Sequence, residues 1–177
     1  MDNTAALDGF LRSVEGKAYV MANSMIADAD EALDVVQDAM IRFAGRYARR
    51  PESEWRPLFF RIVINRARDW QRRQTVRNRV MFWRRNDDMP DPVETAPAGR
   101  GAEPDRELMD DEAMATLQAA IRELPARQQQ TFVLRCFEGL SVEETAAAMG
   151  CSGGSVKTHY FRALAALRKQ LGEHWDG

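Results

Sequence analysis

A chain of 177 residues with 45% hydrophobic and 29% charged residues can bury a core, and its composition is not that of a disordered polymer. No apolar run approaches the roughly 18 residues of a membrane span, and Met1-Asp2-Asn3-Thr4 lacks the basic, apolar start of a secretory leader, so a cytoplasmic chain without direct membrane insertion is expected. The formal net charge of −2 excludes a uniformly basic nucleic-acid binder but averages over a strong internal partition.

In chain order, the residues before Arg50 predict two amphipathic helices. The second starts at Asp28, whose carboxylate can cap free amides, with Glu31 in the capping-box position. Val35, Val36, Ala39, Met40 and Phe43 form its apolar stripe, and Asp30, Asp34, Gln37, Asp38 and Arg42 lie opposite. The segment Arg50-Pro51-Glu52-Ser53-Glu54-Trp55-Arg56-Pro57, with two prolines, predicts a loop. A third helix is expected over about 58–84. From Arg56 to Arg85 there are ten arginines and one acid, Asp69, so this helix repels itself unless a polyanion or the acidic segment beyond it is near. Its aromatic neighbours Trp55, Phe59, Phe60 and Trp70 suit either a core or stacking on exposed bases.

Residues 86–104 contain Pro90, Pro92, Pro97 and Pro104 with Gly99 and Gly101, and few apolar side chains, which predicts a flexible linker. It is acidic: from Asn86 to Thr116 ten acids stand against Arg100 and Arg106. Helices are then expected over about 105–124, stopped by Pro125, and 126–138, ended by Gly139. No β-alternating run of useful length occurs. The expected fold is therefore all-α, with two small helical domains, 1–85 and 105–177, joined by the acidic linker 86–104.

The last element is a helix-turn-helix pattern. Ser141-Val142-Glu143-Glu144 is a capping box before a short helix, and Gly150 supplies a tight turn. Ser152 can cap a second helix with Val156, Tyr160, Ala163, Leu164, Leu167 and Leu171 as its buried stripe. Such a helix enters the major groove by its N-terminal end, which here presents Ser152, Ser155, Lys157, Thr158, His159 and Arg162. Lys157 and Arg162 suit phosphate or a guanine edge. The plainer alternative, that the serines only cap and the cations are a solvated face, is disfavoured by the capped helix and turn in front.

Enzymatic chemistry has no foothold in the pattern. His159 and His174 sit in no metal-binding or triad arrangement, Cys136 and Cys151 read as free thiols, and no glycine-rich phosphate loop is present. Neither a catalytic residue, a metal nor a cofactor is expected.

Taken together, these segments resemble the extracytoplasmic-function sigma factors, the smallest members of the sigma-70 family. Leu140–Ala146 followed by Met149–His159 resembles region 4, Phe60–Arg73 resembles regions 2.3 and 2.4, and Asp30–Met40 resembles region 2.2. The resemblance implies a non-enzymatic protein that binds core RNA polymerase and directs initiation at promoter DNA. It implies docking on the β′ clamp through Asp34, Gln37 and Asp38. It also implies reading and opening of the minus-10 element by Asn65, Arg66, Asp69, Arg72 and Arg73, with a base-holding loop at 50–57 that contains Trp55. Region 4 would read the minus-35 element and touch the β flap, the linker would follow the RNA path, and an anti-sigma factor would hold the chain inactive. The family often places a tryptophan just before the Arg61-Ile62 pair; here Leu58 stands near that place and Trp55 lies three residues earlier. A stand-alone helix-turn-helix regulator and a protein that sequesters a partner through the basic helix remain as alternative readings.

Overall fold

The computed structural model describes residues 3–85 and 106–175, which form seven helices and, among the described residues, no strand. Helix α1 is Asn3–Ile26 and α2 is Ala29–Tyr47. Between them Ala27 takes a left-handed φ of 61°, and Asp28 is extended, its carboxylate accepting the Glu31 amide at 3.0 Å. The N-cap anticipated at Asp28 is thus formed. Val35, Val36, Ala39 and Phe43 of α2 are buried, as the stripe requires.

Helix α3, Glu52–Arg85, is longer than expected, and most of the predicted loop belongs to it. Pro57 lies inside its second turn and removes only one intrahelical bond, while Glu52 and Glu54 in the first turn complement the helix dipole. Packing outweighs the proline. Trp55, 1% exposed, sits in the core, and its indole N–H donates to the Arg50 carbonyl at 2.8 Å. Phe10 of α1 lies 5.4 Å from both the Phe43 and the Trp55 rings, and Phe43 meets Phe59 edge-on at 5.8 Å. This aromatic cluster joins α1, α2 and α3 into an N-terminal bundle.

The C-terminal half contains α4 (Arg106–Glu123), α5 (Ala126–Cys136), α6 (Val142–Met149) and α7 (Gly153–Trp175). The capping box closes in both directions: the Glu144 amide donates to Ser141 Oγ at 3.0 Å, and the Ser141 amide donates to the Glu144 carboxylate at 2.8 Å. Gly150, with φ 63°, ends α6 in the left-handed region, and the Cys151 amide returns to the Ala146 carbonyl at 3.1 Å. A Cβ added at Gly153 would stand 3.3 Å from Val142 Cγ1, so glycine allows α7 to start close against α6. Val156, Ala163, Leu167 and Leu171 are buried and Tyr160 and Leu164 half-buried along α7.

The two halves pack on each other, α4 against α1 and α6 against α3, and share one apolar core. Gln71 Nε2 donates to the Met25 carbonyl at 2.8 Å and to Gln129 Oε1 at 3.2 Å, and the Arg56 guanidinium donates to the Glu138 carbonyl. The sequence pattern contains no sign of this contact. The linker 86–104 lies outside the described residues.

At this junction Glu138 is 3% exposed, and neither of its carboxylate oxygens has a hydrogen-bond partner among the described residues. Burial pushes its pKa up to about 7, against the opposite pull of Lys17 and Arg56. An acid raised in the fold binds its proton better there than in the unfolded chain. The stability tied to that proton is therefore complete below the ordinary value of 4.5 and is lost as pH rises through about 7. Glu138→Gln, which stays neutral, is expected to match the wild type in thermal denaturation near pH 4. Near pH 8 it should be more stable, by an amount on the order of 3 kcal/mol. Parallel pH slopes for the two proteins would refute the assignment.

Candidate DNA and polymerase surfaces

The N-terminal end of α7 has no acid in its first turn, and its leading amides lie at the positive end of the helix dipole. Ser152 Oγ accepts the Ser155 amide at 3.1 Å, and the two hydroxyls lie 3.0 Å apart, so these serines do cap the helix. The Thr158 hydroxyl donates to the Gly154 carbonyl at 3.1 Å. Ser152, Lys157, Thr158 and Arg162 are exposed, and Ser155 and His159 are half-exposed. All six residues singled out on this helix therefore reach solvent from one helical end. Phe161, 72% exposed, stands among them and was not anticipated. Its signal was available: it is an aromatic residue off the stripe of Val156, Ala163 and Leu167. An exposed apolar ring suits contact with another apolar group, a thymine methyl among them.

On α3 the residues singled out for DNA divide into three environments. Asn65, Asp69 and Arg72 line a cleft whose far wall includes Arg127 and Gln130 of α5 and Met149 of α6. Arg66 turns to α2, where its Nε lies 2.5 Å from Asp38 Oδ2, with Asp69 at 3.8 Å. Arg73 is exposed, its Nε donating to the Asp69 carbonyl at 3.3 Å. Trp55 is in the core and has no face free for a base in this conformation. Burial, followed by the nearby Arg72 and Arg127 guanidiniums, lowers the pKa of Arg68 in the same cleft. The far end of α3 carries exposed Val76, Val80 and Trp83 at helical spacing among arginines.

The outer face of α2 presents Asp34 and Gln37 to solvent. Asp38 is different, because Arg42 at 2.9 Å and Arg66 both hold its carboxylate, making it a tie between α2 and α3. Two apolar residues share this outer face: Leu33, and Ile41 at 72% exposure. The carboxylates on this face repel a phosphate backbone, and the exposed aliphatic side chains beside them suit contact with protein. Reading that face as simply polar passed over both. Among the described residues no group of three or more His, Cys, Asp or Glu side chains converges as metal ligands would, and no helix is long and apolar enough to cross a membrane.

Comparison with known proteins places these surfaces in context. Residues 114–167 match the family description "Sigma-70, region 4". The chain is 32% identical to the RNA polymerase sigma-H factor of Pseudomonas aeruginosa, over 94% of this chain and 86% of that protein. It is 32% identical to the RNA polymerase sigma factor SigV of Bacillus subtilis, over 86% of this chain and 83% of that protein. In fold it is similar to the sigma factor RpoE from Bartonella quintana, solved with the anti-sigma factor NepR, at a TM-score of 0.61, with 22% identity over 96% of this chain and 98% of that one. It is also similar to CnrH, solved with the cytosolic domain of CnrY, at a TM-score of 0.65, with 20% identity over 98% of this chain and 90% of that one.

Proposed function

The chain belongs to the extracytoplasmic-function group of the sigma-70 family, RNA polymerase sigma factors that direct transcription initiation, and from that premise we propose how its two halves divide the promoter. Domain 105–177 reads the minus-35 element as duplex, through Ser152, Ser155, Lys157, Thr158, His159 and Arg162, with Phe161 beside them. The observation that carries this reading is the capped, cation-bearing N-terminal end of α7, which starts close against α6 and leaves its polar side chains in solvent. Lys157 and Arg162 neutralise phosphates or read guanine, and the short hydroxyls allow close approach of the backbone.

Domain 1–85 docks on the β′ clamp of core polymerase through Asp34, Gln37 and Asp38, joined by Leu33 and Ile41. It reads and opens the minus-10 element through Asn65, Arg66, Asp69, Arg72 and Arg73. The Asp38–Arg66 contact couples docking to DNA capture, because a partner that draws on the Asp38 carboxylate frees the Arg66 guanidinium. Trp55 acts by fixing the short turn at 48–51 through its bond to the Arg50 carbonyl, and a flipped base held beside that turn costs a few kcal/mol to unstack. Asn65 and Arg72 are exposed along the open cleft beside α5 and α6, and Asp69 is half-buried there, so the packed C-terminal half narrows the approach of DNA to them. The linker 86–104 follows the RNA path, and the β flap receives the C-terminal domain. The protein works in the cytoplasm without a cofactor, and an anti-sigma factor, such as the one bound to RpoE in the related solved complex, holds it inactive.

Transcription in vitro with core polymerase, with and without this protein, on fragmented genomic DNA tests the proposal. Initiation at discrete sites sharing two spaced motifs is the expected result. Tight DNA binding by the protein alone, with no specific transcripts, would favour a stand-alone regulator. For the docking face, Asp34→Arg is the clean probe, since Asp34 is exposed and makes no ion pair among the described residues. It is expected to weaken polymerase binding about tenfold with DNA contacts intact, measured by competition with the wild type for core enzyme. Asp38→Arg should weaken binding too, but it also breaks the tie to α3.

A further inference from the structure

The open cleft between α3 and the facing ends of α5 and α6 has a volume of about 470 Å³, within the roughly 300–1,000 Å³ usual for small-molecule sites. Four guanidiniums line it: Arg61, Arg68 and Arg72 from one half, and Arg127 from the other. None of them has an ion-pair partner among the described residues. The one carboxylate in the lining, Asp69, lies 3.8 Å from Arg66. Two of the four have neutral hydrogen-bond partners: Arg68 Nη1 donates to Gln71 Oε1 at 2.9 Å, and Arg127 Nη1 donates to the Met149 carbonyl at 3.0 Å. Those bonds aim the guanidiniums without discharging them. Cations facing each other across a contact oppose closure, yet these halves are closed around them.

We propose that this cleft is a binding site for a small polyphosphate anion, which bridges the two halves and withholds Asn65 and Arg72 from DNA. Guanidinium forks match phosphate oxygens in pairs. A single phosphate cannot balance four cations, whereas a chain of two or three phosphates can. Asn65 and Gln130, also in the lining, supply neutral amides for the remaining oxygens. Ala148 and Met149 close one side with apolar surface. Asn65 and Arg72 line the cleft and are also assigned to the minus-10 element, so ligand and promoter compete for them. That last consequence rests on the reading of α3 given above; the binding itself does not.

Isothermal titration of the full chain with inorganic tripolyphosphate, ATP and sulfate, at constant ionic strength, tests the site. One tripolyphosphate per chain is expected, bound at least about tenfold more tightly than sulfate. Arg127→Gln and Arg61→Gln should each weaken it by about tenfold, since each removes a charge-assisted contact. Arg168→Gln, a charge-matched change on α7 outside the cleft, should leave it unchanged. ATP bound as tightly as tripolyphosphate identifies the phosphates alone as the recognised group. Tighter ATP binding identifies a nucleotide as the ligand, with the base adding contacts beyond those of the phosphates. Equal affinity for tripolyphosphate and sulfate marks a general ionic effect and overturns the proposal. Undiminished binding by both cleft variants overturns it as well and moves the anion elsewhere on the chain. Failure of the promoter reading would look different, as absent promoter-specific transcripts with cleft binding intact.

Discussion

Reversing the charge of Arg72 and Arg73 together, to Glu, is expected to reduce open-promoter formation by about a hundredfold or more while leaving core-polymerase binding within about twofold. Both residues lie on α3, away from the outer face of α2 that we assign to docking. Each lost contact to a base or phosphate costs roughly 1–3 kcal/mol, and reversal adds repulsion from the DNA backbone. The two positions also separate two mechanisms. Arg72 lines the interhalf cleft opposite Arg127, so a glutamate there gains a cationic neighbour and favours closure. Arg73 does not line that cleft and is exposed, so Arg73→Glu alone acts on DNA and not on closure. Permanganate reactivity of unpaired thymines, read beside a polymerase-binding assay, reports both quantities. Loss of polymerase binding in the double variant would sink the division of roles.

Trp55→Ala is expected to destabilise the N-terminal bundle by about 3–5 kcal/mol, enough to leave little folded protein in moderate urea. The indole is 1% exposed, its ring centroid is 5.4 Å from that of Phe10 and 6.1 Å from that of Phe43, and its N–H satisfies the Arg50 carbonyl. Truncation opens a cavity the size of the ring system and orphans that carbonyl. Trp55→Phe keeps most of the contact, and its cost should be nearer 1–2 kcal/mol. Urea denaturation followed by circular dichroism distinguishes the two. A Trp55→Ala protein of wild-type stability that fails only at the minus-10 element would restore a direct role for the indole at a base.

Where a helix begins or ends on a local interaction, the residues announce it. Asp28, Ser141, Gly150 and Ser152 each act within four residues of chain, so their type and spacing suffice. The same holds for the apolar stripe of α7 and for the cationic side chains left outside it. Proline chemistry misled at 50–57 because the cost of Pro57 is one lost hydrogen bond, and burying Trp55 against Phe10 and Phe43 more than offsets it.

By itself the sequence determined the all-α class, the order of the helices, the helix-turn-helix and the segregation of charge, because each is written at the helical period or in a cap. Only the tertiary structure decided that Asp38 and Arg66 hold one another, that Trp55 is core, and that Arg127 lines one cleft with the arginines of α3. Those facts depend on which faces of distant helices meet. A local pattern specifies that a face is apolar or charged, and the packing of the whole chain selects its partner.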